Sequence, residues 1–317
     1  AVLAHAVSAA PSHTPAPRCV QRALCNALSV CHIPGFEMRA THGLVRSLGK
    51  ALLSRAELER MAEFQHADEG YGYDVFGMHP DWLCMSRGFL RPLYRHYFRV
   101  SSYGTEHIPN SGPAILIANH AGTLPIDATM ICYDVFERTS PPRMPRAVID
   151  YFVPQLPFVG TFLSRVGAVH GALTNVRRLI EHDQLCLIFP EGMRAIGKPF
   201  RQRYTLTQWR VGHAELALRY RIPIIPVAVI GSEEQWLQIG RLERVHTFGM
   251  PYLPVVATPI PLPVHYHLHY GAPIQLDADA YRSEPNQEQI ERAAETTKRA
   301  LTALIASGLA ARKGLFR

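Results

Sequence analysis

Residues 114–131 read AILIANHAGTLPIDATMI, and within them His120 precedes Asp127 by seven positions across a short turn. A histidine suits proton transfer near neutral pH because its ordinary pKa lies close by. A carboxylate bonded to one ring nitrogen would fix the tautomer and stabilise the imidazolium that forms. Together they could take the proton from a hydroxyl as it attacks a thioester. N–H groups at the start of the following helix would then face the developing oxyanion. The same two residues also read as a strand-end histidine capped by a local carboxylate. Asp150, after Val148-Ile149, ends another apolar run and is the alternative carboxylate partner.

A second polar turn, Phe189-Pro190-Glu191-Gly192-Met193-Arg194, follows the apolar run 185–189. Glu191 can accept hydrogen bonds from substrate hydroxyls, and the planar fork of Arg194 suits a phosphate. The competing reading is an exposed turn with a Glu–Arg pair. Arg165, closing the run Phe158-Val159-Gly160-Thr161-Phe162-Leu163-Ser164-Arg165, is either an anion ligand or a helix-end charge facing the dipole. His265, His267 and His269 alternate in HYHLHY and so share one strand face. Three imidazoles could bind zinc, but no carboxylate or cysteine lies beside them. The expectation is a solvated strand face and no metal. No Gly-x-Ser-x-Gly elbow offers a serine nucleophile, so direct attack by the acceptor is the simpler chemistry.

These residues need a scaffold that delivers them to one place. Apolar runs at 114–118, 147–149, 167–169, 185–189, 222–230 and 266–270 read as strands. Helical patterns fall at 126–136, 158–163, 173–182, 207–220 and 286–307. The alternation predicts an α/β fold, a mostly parallel central sheet flanked by helices, with a helical N-terminal extension. In such sheets ligands gather at the carboxyl ends of the strands, where His120, Asp150 and Glu191 stand. The expected organisation is an extension over 1–80, an α/β domain over 81–280 and a docked helix over 281–317. Residues 1–35 are rich in Ala, Pro and Ser and read as loosely ordered, with a short helix near 20–30. Residues 41–66 suggest one or two amphipathic helices, and 70–80 a turn-rich connector. The stretch 82–103 mixes Trp, Phe and Tyr with Arg and His, as at a membrane interface or as a helix with a solvated basic face. The proline-rich 251–264 cannot be a regular helix. It either lines an acyl-chain tunnel, touches lipid, or wanders over the surface.

The chain has 317 residues, 47% of them hydrophobic, which excludes a mostly disordered protein. Its formal charge of +7 suits an anionic partner, or simply solubility. Six cysteines without a Cys-x-x-Cys pair offer neither a zinc ribbon nor a disulfide framework, so a reducing compartment is expected. The first residues make a poor signal peptide. No apolar run reaches the length of a membrane span. No nucleic-acid motif appears.

Taken in order, Asn119-His120 with Asp127, Gly160 with Arg165, Phe189–Arg194 and the Ile222-Pro223-Ile224-Ile225-Pro226 strand resemble the glycerolipid acyltransferase family. That family includes glycerol-3-phosphate and lysophosphatidate acyltransferases. Ile108-Pro109 with Gly112-Pro113, Gly231-Ser232-Glu233-Glu234 and Tyr270-Gly271-Ala272-Pro273-Ile274 resemble a bacterial branch related to the monoacylglycerol acyltransferases. The resemblance runs from about residue 87 to residue 275. It implies an O-acyltransferase with His120 as general base and Asp127 orienting it. Glu191 and Gly192 would shape the acceptor site, while Arg165 and Arg194 would contact a phosphate. The donor would be acyl-coenzyme A or acyl carrier protein, and the acceptor a glycerolipid hydroxyl of lysophospholipid or glycerol-3-phosphate type, with no other cofactor. The enzyme would sit peripherally on the cytoplasmic face of the membrane, seated by its N-terminal helical element. Two departures stand out: the family usually has a shorter His-to-Asp spacing, and a small hydroxyl residue where Met193 stands. The competing functions are an acyl-thioesterase using the same site and a non-catalytic lipid-binding protein.

Overall fold

The computed structural model describes residues 35–121, 124–192, 195, 198–236, 238–242, 253–258, 260–276 and 284–316. The chain divides into two compact units, Ala1–Leu44 and Val45–Arg317. The expected helix near 20–30, and Cys19, Cys25 and Cys31, lie outside the described residues.

The second unit is built on a seven-stranded sheet of order β1-β9-β6-β2-β5-β3-β4. Its strands are β1 (Ser101–Tyr103), β2 (Ala114–Ala118), β3 (Arg146–Ile149), β4 (Val169–His170), β5 (Leu185–Ile188), β6 (Ile224–Ile230) and β9 (His267–Tyr270). Every pairing is parallel except that of β6 with β9. A separate antiparallel pair, β7 (Gln238–Leu242) and β8 (Leu253–Val256), lies outside this sheet. The sheet is the mostly parallel α/β arrangement expected. β2 is buried at every position, as befits a central strand covered on both faces. Its two faces feed two cores: Leu116 and Ala118 pack with Ile131, Val135 and Leu187, while Ile115 and Ile117 pack with Leu179, Cys186 and Ile224.

The helices are α1 (Gly35–Leu52), α2 (Arg55–Ala62), α3 (Pro80–Pro92), α4 (Ile126–Arg138), α5 (Val159–Arg165), α6 (Leu173–Glu181), α7 (Gly212–Tyr220) and α8 (Gln287–Ala311). Ser54 and Glu57 form a reciprocal capping box that starts α2. A π-helical turn, Leu93–Tyr97, follows α3. α4, which carries Asp127, is held at its other end. Arg60 of α2 donates to the carbonyls of Phe136, Glu137 and Thr139 at 2.5–3.1 Å, satisfying the helix C-terminus. In its middle the buried Asp134 accepts from the hydroxyls of Tyr94, Ser102 and Tyr270. That cluster ties α4 to the π-turn, β1 and β9.

The structure departs from the sequence reading at several places, each for a local reason. The helix expected from 207 begins at Gly212, because the Thr207 N–H and hydroxyl are bonded to Glu191 instead. β6 begins at Ile224 rather than 222, since Arg221 adopts φ +54 and the Ile222 N–H still bonds Ala217. Gly167 turns at φ +103, so β4 comprises only Val169–His170. Part of the proline-rich 251–264 is strand β8; residues 251, 252 and 259 lie outside the described residues. The histidine ladder is not a solvated face. His267 is buried, its ring stacks on His265 at 4.2 Å, and Tyr103 stacks on His269 at 4.6 Å. Burial pushes the His267 imidazole down to about 4, and the neighbouring His265 and His269 add to this. No group of three or more His, Cys, Asp or Glu side chains among the described residues is arranged to hold a metal.

Candidate active site

Because β2, β5, β3 and β6 run parallel, their carboxyl ends deliver Asn119-His120, Pro190-Glu191-Gly192, Asp150 and Ser232-Glu233 to the same edge of the sheet. Asn119 clips β2 to β6. Its amide donates to the Val229 carbonyl at 3.0 Å and accepts the Val229 N–H at 2.8 Å. His120 follows with Nδ1 2.7 Å from Asp127 Oδ2. Asp127 is fully buried, and the Ala121 N–H (2.9 Å, to Oδ2) and the Ala128 N–H (2.8 Å, to Oδ1) complete its shell. With an ionised carboxylate at Nδ1, the neutral imidazole carries its proton there and leaves Nε2 as an acceptor. Burial lowers the His120 pKa, but the Asp127 charge and hydrogen bond, with the Glu191 charge, outweigh it and raise it above the ordinary histidine value. The Phe189 ring lies 4.4 Å from the imidazole.

Asp150, the alternative partner, stands 3.7 Å from the Arg210 guanidinium instead. The helix N-terminus is also less free than expected. The Ala121 and Ala128 N–H groups serve Asp127, and the Ile126 N–H bonds the Leu124 carbonyl. None of these three is available to an oxyanion.

Glu191 is not an exposed turn residue; it is 2% exposed. Its Oε2 accepts from the Thr207 N–H at 2.8 Å and the Thr207 hydroxyl at 2.9 Å. The Lys198 ammonium lies 3.5 Å from the same oxygen. Oε1 is buried without a hydrogen-bond partner among the described residues. Lys198 also reaches Glu233 Oε2 at 3.2 Å and the Thr205 carbonyl at 3.0 Å. One buried cation thus serves two carboxylates. Burial raises the Glu233 pKa, and the like charge of Glu191 adds to it, against Lys198 and the Tyr204 N–H. A small cavity beside this group is lined by Ala121, Lys198, Arg203, Glu233 and Trp236.

Gly192 takes φ +58, and a Cβ there would lie 2.9 Å from the Arg210 guanidinium carbon. The glycine lets that cation lie flat against the turn. Arg165 donates to the Gly77 carbonyl at 3.1 Å and sits 4.2 Å over the Tyr73 ring. Arg194 and Met193 lie outside the described residues.

Sequence reasoning missed Lys198, Thr207 and Arg210, and knew Glu233 only as part of a resemblance. The available signal was Gly-Lys-Pro-Phe just after the Glu191 turn and a Glu-Glu pair just after an apolar strand.

Residues 99–230 match the acyltransferase family model. An uncharacterized protein of Mycobacterium tuberculosis (strain H37Rv) is 34% identical over 215 residues, covering 64% of this chain and 60% of that protein. The human DGAT1/2-independent enzyme synthesizing storage lipids is 30% identical over 207 residues, covering 64% of this chain and 60% of its own. The chain spans about 60% of the length of these curated relatives. A crystal structure of the 1-acyl-sn-glycerophosphate acyltransferase of Thermotoga maritima aligns with TM-score 0.46 and 15% identity, covering 86% of this chain and 99% of that one. His120, Asp127, Glu191 and Gly192 all lie inside the matched acyltransferase segment. Among the described residues, no helix is long and apolar enough to cross a membrane.

Proposed function

We propose that this chain transfers a fatty acyl group from a thioester, acyl-coenzyme A or acyl carrier protein, to a hydroxyl of a glycerolipid acceptor at a membrane surface. The observation that carries this reading is the His120–Asp127 contact of 2.7 Å within a matched acyltransferase domain. Its chemistry is that of a general base. His120 Nε2 takes the proton of the acceptor hydroxyl as its oxygen attacks the thioester carbonyl. The tetrahedral intermediate collapses with loss of the thiolate, and the imidazolium returns the proton to that sulfur. Asp127 stays ionised and stabilises the imidazolium between the two steps. Glu191 Oε1, without a hydrogen-bond partner among the described residues, is an acceptor to which an acceptor hydroxyl would donate. Likeness to an enzyme that synthesises storage lipids supports a lipid acceptor.

The test is a radiolabelled acyl-thioester assay offering glycerol-3-phosphate, lysophosphatidate, other lysophospholipids and monoacylglycerol. Wild type should yield one labelled lipid, while His120→Ala should lose turnover about 10³-fold or more with its fold intact by circular dichroism. Label released only as free fatty acid would make the protein a thioesterase. Full activity in the variant would remove His120 from the mechanism.

A further inference from the structure

A polar group buried without a partner costs free energy, and the cavity beside Glu233 has donors left over on its wall. Its volume is about 20 Å³, room for a single water-sized oxygen. Ala121, the residue after His120, lies on that wall with Lys198, Arg203, Glu233, Trp236 and Gln238. The carboxylate there is already served. Glu233 Oε2 receives the Tyr204 N–H at 2.8 Å and faces Lys198 at 3.2 Å, and its Oε1 faces Lys198 at 3.3 Å and the Asn119 amide at 3.4 Å. The two cations are engaged as well. Lys198 serves Glu191, Glu233 and the Thr205 carbonyl, while Arg203 donates to the Phe200 carbonyl at 3.4 Å and lies 3.7 Å from Glu234. Two donors remain. Trp236 is 6% exposed, and its Nε1 is buried with no hydrogen-bond partner among the described residues. Gln238 Nε2, at the start of β7, is in the same position. An indole N–H can only donate, so no neighbouring donor satisfies it.

We propose that this cavity is a subsite for one proton-free oxygen of a bound ligand, a carbonyl or phosphoryl oxygen, held by the Trp236 indole N–H with the Gln238 amide beside it. Such an oxygen has lone pairs and no proton to place, which is what a wall with surplus donors and filled acceptors selects. Lys198 and Arg203 add positive potential, while the Glu233 charge is met by Lys198. The size admits one atom and leaves the bulk of the ligand outside. Two molecules of the proposed reaction carry such an oxygen: the thioester donor, in its carbonyl, and a glycerol phosphate acceptor, in its phosphate. A carbonyl here would meet an oxyanion donor of the kind that the Ala121, Ile126 and Ala128 N–H groups, already bonded, do not supply. The choice of these two molecules rests on the proposed function; the surplus of donors does not.

Nuclear magnetic resonance of the nitrogen-15-labelled protein tests it. The chain has three tryptophans, Trp82, Trp209 and Trp236, so three indole N–H signals are expected, and that of Trp236 is the one missing in Trp236→Phe. Two probes are added in turn: glycerol-3-phosphate, and a ketone analogue of acyl-coenzyme A with a methylene between sulfur and carbonyl. With one of them the Trp236 signal should move downfield, as a newly bonded N–H does, while those of Trp82 and Trp209 stay. Movement with the ketone assigns the subsite to the carbonyl, and movement with glycerol-3-phosphate assigns it to the phosphate. Trp236→Phe should bind that probe about three- to tenfold more weakly, the worth of one hydrogen bond. A signal unmoved by both probes, as solvent alone on the donors would leave it, overturns the proposal. So does a Trp236→Phe variant that binds both as wild type does. If that variant fails to fold, Trp82→Phe and Trp209→Phe assign the signal by elimination, and Gln238→Leu carries the same comparison of binding. A Trp236 signal that moves in a protein that transfers no acyl group leaves the subsite standing and removes the proposed function. Acyl transfer with an unmoved signal does the reverse.

Discussion

Asp127 accepts hydrogen bonds on both carboxylate oxygens, which makes it a sharper probe of the dyad than His120 itself. Oδ2 accepts from His120 and the Ala121 N–H, and Oδ1 from the Ala128 N–H. In Asp127→Asn one oxygen becomes a donor and meets a backbone N–H or the imidazole N–H head-on. The imidazole then loses its imposed tautomer. Turnover should fall about 10²–10⁴-fold with a smaller change in KM, measured by steady-state kinetics on purified enzyme. The pH profile carries a separate signature. The Asp127 and Glu191 charges overcome burial and raise the His120 pKa, and only the neutral ring is a base. The acid limb of kcat/KM should therefore have its midpoint above the ordinary histidine value. In Asp127→Asn that limb should move to lower pH. His120 and Asp127 were legible as a pair because one short turn joins them. Lys198, Thr207 and Glu233 converge on Glu191 and Asn119 from connections far along the chain. No local spacing records that convergence. The Arg165 reading as a phosphate ligand came from its place in a motif, and its contacts with the Gly77 carbonyl and the Tyr73 ring were not legible there.

Helix contacts at the start of the second unit invert a propensity rule. Gly88 lies inside α3, where replacing glycine by alanine ordinarily gains about 1 kcal/mol. A Cβ at Gly88, however, would sit 2.4 Å from Leu52 Cβ. That atom is fixed to its own backbone and cannot swing aside as a flexible side-chain end could. Gly49 likewise faces Cys84 at 3.0 Å. Gly88→Ala must therefore push the two helices apart, at a cost of about 1–3 kcal/mol typical of overpacking, in place of the helical gain. Urea denaturation of wild type and variant reads the sign directly. Long apolar strands such as β2 and β6 and the amphipathic α6 and α8 were legible because burial on two faces or one stripe writes itself into the residue pattern. β1 is only Ser-Ser-Tyr, and it exists because β9 offers it an edge. β8 is apolar but carries a proline, which argues against a strand within a proline-rich run, and among the described residues it pairs with β7. β1 has no hydrophobic signature of its own, so tertiary contact defines it.

At the scale of the whole second unit, α8 closes the fold over β6 and α7. Leu301 and Ile305 pack on Ala228 and Ile230, and Ile290 and Ala294 pack on Ala214 and Leu218. The joint includes a buried polar bond: His213 Nε2 lies 2.8 Å from the Thr297 hydroxyl oxygen. Thr297 donates its own proton to the Ala294 carbonyl, so His213 is the donor. Burial pushes His213 down to about 4, against a backbone hydrogen bond at Arg210 that opposes it. The folded state therefore keeps the ring neutral where the unfolded chain, titrating near the ordinary 6.5, takes up a proton. Folding stability from this group is complete above the unfolded value and is lost as pH falls from about 6.5 towards 4. By about pH 5 the loss should reach about 2 kcal/mol for His213 alone. His267, also held near 4, adds in the same direction beside the other end of α8, where Gly308 approaches His269. Denaturant midpoints measured at about pH 7 and about pH 5 should separate more for wild type than for His213→Leu, which cannot titrate. The variant should be less stable at the higher pH, through loss of the bond to Thr297, yet closer to wild type at the lower. Equal separations would mean that His213 is already protonated, or reached by solvent, in the folded protein, and that α8 opens before the core does.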